Sequence, residues 1–196
     1  MPDPRVKGIA FREFVRWYEQ TYGHEATLAA WKSLAEPLRA QLDPERECFG
    51  LLAGSWYPVS IVTGLLEHIT WGLGPDERTA LLRGGITFAL DVTLTGVYRV
   101  LFNTLVTPER HARYAQKIWS SYYDTGEVEG RVLGPGRAEQ LVKDWNGHHP
   151  LLCEMSIWSL TLFHERMGCK DVKVSRTSCL RDSDACRFLI TWTPRK

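Results

Sequence analysis

The sequence has no surplus of charge of either sign. Its 24 lysines and arginines face 23 aspartates and glutamates, a formal net charge of +1. A chain balanced in this way offers no dedicated surface for nucleic acid or another polyanion. Long apolar runs are missing too. Each apolar stretch is broken by Gly, His, Asp or Arg within about ten residues, short of the ~20 that a spanning helix needs. The opening MPDPRVKGIAFREFVRW lacks the continuous apolar segment of an export signal, so a cytoplasmic location without a membrane span is expected.

Catalytic signatures are also absent. There is no GxSxG, HExxH, phosphate-binding loop or dinucleotide fingerprint. Glu67 and His68 are neighbours on an amphipathic helix, where adjacent side chains point about 100° apart and do not cooperate unaided. The chain is therefore expected not to be an enzyme. No repeat, low-complexity tract or linker divides its 196 residues. One domain is expected, with residues 1–74 as a helical N-terminal extension and 75–196 as the core.

What the chain does have is aromatic mass and thiols: eight tryptophans and five cysteines. The first third has helical periodicity, with Phe11, Phe14, Val15 and Tyr18 on one stripe and Leu28, Trp31, Leu34 and Leu38 on the next. Pro58 and Pro75 each suit the opening of a further helix. From Leu81 to Val106 a mostly apolar helix is expected, with a polar stripe at Asp91, Thr95, Arg99 and Asn103. Thr107 is the N-cap of another helix that Gly126 closes. The GPG at 134–136 reads as a hairpin turn. A helix follows with Leu151, Met155, Trp158 and Leu162 near one face and Gly168 as its stop, and two strands end the chain. The plan is α+β: a helical N-terminal half, then an antiparallel sheet of two hairpins separated by a helix.

The last hairpin has a register that its pattern specifies. Placing Val174 opposite Ile190 keeps the apolar residues of both strands on one face. It also sets Cys186 across from Ser178, with Cys179 beside it and Cys153 in the first turn of the preceding helix. Three thiols thus converge at one end of the sheet, while Cys169 lies at the other and Cys48 has no evident place. A tetrahedral zinc site needs four ligands, and His149, Asp182 or Asp184 is near enough to be the fourth. A disulfide between Cys179 and Cys186 and a plain buried pair are the other readings, the first disfavoured in a reducing compartment. The helices around 81–106 and 153–167 are apolar enough to wall a cavity, with Phe88, Tyr98, Phe102, Trp119, Tyr123 and Trp158 as candidate linings.

The C-terminal segment GCKDVKVSRTSCLRDSDACRFLITW, with the helix carrying Cys153 before it, resembles the 4-vinyl reductase domain. The wider set of that resemblance includes ligand-sensing domains of phenol-responsive activators, haem-NO-binding-like domains and TRAPP-type tethering subunits. The stretch from GVYRVLF to Gly130 is similar to segments of myxobacterial proteins, which suggests a bacterial source. The likeness covers roughly Leu81 to Trp192. It implies a 4-vinyl-reductase/TRAPP-like fold that senses a small apolar or aromatic molecule and signals through a protein partner. It also implies a homodimer, and the alternative of a dimeric adaptor with no small ligand. In the zinc-binding members the metal is held by a helix Cys, a Glu and two hairpin Cys, which fall on Cys153, Arg176, Cys179 and Cys186. A guanidinium has no lone pair for zinc. Haem sensors of the wider set use an axial His and a Tyr-x-Ser-x-Arg clamp. That clamp is not in this sequence, so no haem is expected.

Overall fold

The computed structural model describes residues 3–93 and 106–194. They form two compact units, one of residues up to Thr93 together with Tyr122–Asp124, the other of the remainder. The architecture is α+β, helical first and sheet-containing second, as the periodicity predicts. Among the described residues no helix is long and apolar enough to cross a membrane.

The first unit contains β1 (Arg5–Lys7), α1 (Ile9–Tyr22), α2 (His24–Ser33), α3 (Glu36–Arg39), β2 (Trp56–Pro58), α4 (Val59–Thr70) and α5 (Pro75–Thr93). Phe11, Phe14, Val15 and Tyr18 are all buried on the inner face of α1. α5 comes close to α1 because it carries a glycine where they meet. A Cβ at Gly85 would stand 2.4 Å from the Phe14 ring, so only glycine lets the ring settle there. Cys48 is buried in a tight turn of this unit, at φ 52°, next to Phe49 at φ 57°. The two strands β1 and β2 are too short for alternation to show in the sequence. Arg5 pairs with Pro58 and Lys7 with Trp56.

The second unit contains α6 (Pro108–Trp119), β3 (Glu127–Gly134), β4 (Arg137–Lys143), α7 (Pro150–Arg166), β5 (Lys170–Ser178) and β6 (Ala185–Thr193). The strands make one antiparallel sheet in the order β3-β4-β6-β5. Thr107 caps α6 as expected, its hydroxyl accepting the Arg110 N–H at 3.3 Å. α6 ends at Trp119 and not at Gly126, because the backbone of Tyr122 and Asp124 bonds instead to Lys7 and Arg5 of β1. α6 lies on β3 at Gly130, where a Cβ would meet the Ala112 backbone at 2.6 Å.

The predicted register of the last hairpin is present: Val174 pairs with Ile190. A bulge between Arg176 and Ser178 then sets Ser178 against Arg187 in place of Cys186. On α7 the buried set is Leu152, Cys153, Leu160, Thr161, Leu162 and His164, while Leu151, Met155 and Trp158 are half-buried. The face predicted from Leu151 and Met155 is therefore rotated. The helix begins against the loop after β4 and keeps its first thiol inward.

Of the polar stripe expected along 91–103, only Asp91 lies within the described residues. It is exposed at the end of α5.

Candidate metal centre

The second unit brings four soft donors to one end of its sheet. The side-chain donor atoms of His148, Cys153, Cys179 and Cys186 all lie within 4.8 Å of one another. Cys153 Sγ is 3.6 Å from Cys186 Sγ, and Cys179 Sγ is 3.3 Å from His148 Nε2. Around a tetrahedral zinc the S–S edge is about 3.8 Å and the S–N edge about 3.5 Å, given bonds near 2.3 and 2.0 Å. These two separations are within a few tenths of the edges, and the widest in the set is at most 4.8 Å.

Each donor has a local reason for its position. Cys153 opens the intrahelical ladder of α7, its N–H donating to His149 O at 2.9 Å. Cys186 begins β6 beside Val142 of β4 and is fully buried. Cys179 starts the loop between β5 and β6, and its carbonyl accepts the N–H groups of Asp182 and Ser183, both at 2.9 Å. That closure folds the loop back so that the Leu180 N–H points at Cys186 Sγ, 3.4 Å away. His148 sits in the loop between β4 and α7. Its N–H donates to Trp145 O, and its ring stands edge-on to the Trp145 ring at 5.4 Å. Trp145 is braced in turn by Trp119 at 4.8 Å.

The fourth donor differs from the expected ones. His149 is turned to cap α7, its Nδ1 accepting the Leu151 N–H at 3.3 Å. Asp182 is exposed and pairs with Arg181 at 3.2 Å. His148 went unrecognised because its approach depends on a turn at Asp144, which has φ 48°. The doublet of histidines before Pro150 was the available signal, and periodicity cannot say which of the two turns inward.

Arg176 has a place in this electrostatics. Its guanidinium bonds to the Cys153 thiol and lies in the field of Cys179 and Cys186. Cys153 is held well below the usual thiol range, first by its hydrogen bond from Cys186 and then by Arg176 and His148, against burial. Cys186 is pushed up by the same shared proton and by burial. Three thiolates and a neutral imidazole around a divalent ion sum to −1, and one guanidinium neutralises that charge.

The candidate pocket residues that are described fall in both units. Phe88 lines an open hollow of about 730 Å³ in the first unit, with Trp17 and Arg83. Tyr123 belongs to that unit as a bridge partner of Val6, its phenol pushed up by burial. In the second unit Trp119 is buried, its indole N–H donating to Thr125 O at 2.8 Å, and Trp158 is half-buried on α7. Tyr98 and Phe102 lie outside the described residues. A second hollow, of about 450 Å³, opens at the end of the sheet away from the thiols and includes Cys169.

Two buried imidazoles stand apart from the thiol cluster. His164 is fully buried, with Nδ1 2.8 Å from Leu160 O and Nε2 without a partner among the described residues. The His111 ring lies 5.3 Å from it and the Trp192 ring 5.6 Å. Burial, and then His164, pulls His111 down to about 4.

No protein-family model matches the sequence. No curated protein matches it either. Solved structures do. An H-NOX protein from S. oneidensis in the Fe(II) ligation state has a TM-score of 0.67 at 12% identity, over 97% of both chains. A structure solved to probe heme distortion in the H-NOX family has 0.67 at 8%, also over 97% of both. An oxygen-binding H-NOX domain related to soluble guanylate cyclases has 0.64 at 8%, over 96% of both.

These neighbours overturn the expectation of no haem, since iron and heme are named for them. His164 has the donor chemistry of an axial ligand, its Nδ1 tied to a carbonyl and its Nε2 open. The surroundings of His164 fit a macrocycle less well, because the His111 and Trp192 rings stand 5.3 and 5.6 Å from its ring and, among the described residues, no histidine lines either hollow. At 8–12% identity over nearly the full length, the likeness is one of architecture: this chain has the fold of the H-NOX proteins.

Proposed function

We propose that this chain is a non-enzymatic small-molecule sensor module of the 4-vinyl-reductase-like kind, with its sheet clipped by one structural zinc. His148, Cys153, Cys179 and Cys186 hold the metal. The observation that carries the zinc is the convergence of four nitrogen and sulfur donors within 4.8 Å. A set with no open fourth position is the pattern of a structural and not a catalytic site.

The clip ties together three pieces: the loop after β4, the start of α7 and the β5–β6 hairpin. Metal binding there contributes folding free energy directly, since the unfolded chain has no preformed site. Arg176, at the position where zinc-binding relatives of the resembled domain have Glu, compensates the charge of the centre, and His148 takes over as ligand. The sensor reading is supported by the fold, which the oxygen-binding neighbour uses for a small molecule.

Native mass spectrometry of protein purified without chelator tests the metal clip. One zinc per chain that is lost in His148→Ala and in Cys179→Ser, and retained in His149→Ala and Asp182→Ala, is the expected result. A metal-free mass with five free thiols, unchanged by added zinc, would sink the clip.

A further inference from the structure

The hollow at the far end of the sheet has the build of a ligand pocket. Four pieces of the second unit meet there: the first turn of α6, the β3–β4 hairpin tip, the turn after α7 and the exit of β6. The rim is fixed by backbone, with the Trp192 N–H donating to Gly136 O at 2.9 Å. At about 450 Å³ the space matches the range of small-molecule sites and holds a molecule of one or two rings.

Its walls define a ligand class. Trp192, Met167 and Pro135 offer an aromatic face, a polarizable thioether and a flat aliphatic ring. Among the described residues Glu109 is the only charged side chain in the wall, and no basic residue joins it. Among the described residues no cation pairs with that carboxylate. The Trp192 ring also lies 5.6 Å from that of His164, which stands 5.3 Å from the ring of His111 on α6. Trp192 thus adjoins both the hollow and a contact between α7 and α6.

We infer that this hollow binds a small aromatic amine, its ring on Trp192 and Met167 and its ammonium directed to Glu109. The inference rests on the sensor reading and supplies that reading with a site and a ligand class. An aromatic face attracts a cation through its quadrupole, and a carboxylate at the rim excludes aromatic acids.

Cys169 provides the readout. It lines the hollow and is the one cysteine among the five that is not buried. Benzylamine, benzyl alcohol and benzoate are added to the zinc-loaded protein, and iodoacetamide labelling of Cys169 is followed by peptide mass spectrometry. Benzylamine is expected to slow labelling most and benzoate least. Glu109→Gln should weaken the benzylamine effect roughly two- to fivefold, the scale of an exposed ion pair, and leave benzyl alcohol unchanged. Trp192→Leu should weaken both by about tenfold. Glu109 is exposed, so its variant carries the test even if Trp192→Leu does not fold. Equal labelling rates with and without all three probes, or protection by benzoate equal to that by benzylamine, overturn the pocket. Saturation transfer to benzylamine with Cys169 unprotected also overturns it while the sensor reading stands. Neither signal with any probe removes the aromatic-ligand sensor as well.

Discussion

His148 Nε2 lies 3.3 Å from Cys179 Sγ, although the two residues are 31 positions apart and belong to different loops. Neither loop is long, and each is pinned by its own backbone bonds before the side chains meet. The imidazole is aimed by Trp145 and the thiol by the turn that Asp182 and Ser183 close on the Cys179 carbonyl. Two independently stiff loops that present soft donors to one point make a site with little reorganisation left to do on binding.

The two adjacent histidines should separate cleanly. His148→Ala is expected to abolish stoichiometric zinc, measured by elemental analysis after exchange into buffer without metal. His149→Ala should keep the zinc and cost about 1 kcal/mol of stability, the usual loss for a removed helix cap. Equal zinc loss in both variants would argue against His148 as the ligand.

Arg176→Met should leave the centre with an uncompensated negative charge. A loss of about tenfold in zinc affinity is expected, the lower end of the range for groups just outside a metal's ligand shell. Competition with a chromophoric chelator reads it. An unchanged affinity would make Arg176 a surface residue with no part in the site.

Acid should destabilise the second unit through His111. Burial and the neighbouring His164 hold it neutral, with its value pulled from 6.5 down to about 4. A depressed imidazole leaves the folded state binding fewer protons than the unfolded one between those values. Stability is therefore complete above about pH 6.5 and falls as the pH drops through 4, by about 3 kcal/mol in all. His164 is shifted in the same direction by burial. Thermal unfolding of metal-free protein across pH 7.5 to 4 should show a slope that His111→Phe reduces. A slope the variant leaves intact would assign the loss to other groups.

Gly85→Ala tests the packing of the first unit. Its new methyl would stand 2.4 Å from the Phe14 ring, which is itself buried, so the ring or α5 must shift. A loss of about 1–3 kcal/mol in urea denaturation is expected for such overpacking. Gly23→Ala has open space but φ 90°, and should cost less, through backbone strain alone.

Much of the fold was legible because it depends on local alternation. The β5–β6 register followed from the inward residues, since a one-place slip would expose Ile190, which is 2% exposed. The N-cap at Thr107 was equally local. The end of α6 was not legible, because Tyr122–Asp124 leaves the helix to bond with β1 over a hundred residues earlier. The bulge after Arg176 was invisible for a similar reason: alternation predicts pairs but not the place where an extra residue is inserted. The face of α7 was misjudged because its burial is decided by a sheet on one side and by the thiol cluster at its start.

By itself the sequence determined the α+β order and the Val174–Ile190 pairing, and pointed to Cys153, Cys179 and Cys186 as neighbours, since period and turn chemistry act over a few residues. Only the tertiary structure decided which histidine joins them, that Arg176 sits by Cys153 as a counter-charge, and that Cys169 faces a hollow with Trp192. Those outcomes depend on loop backbone angles such as φ 48° at Asp144, and on contacts between segments that no short-range pattern encodes.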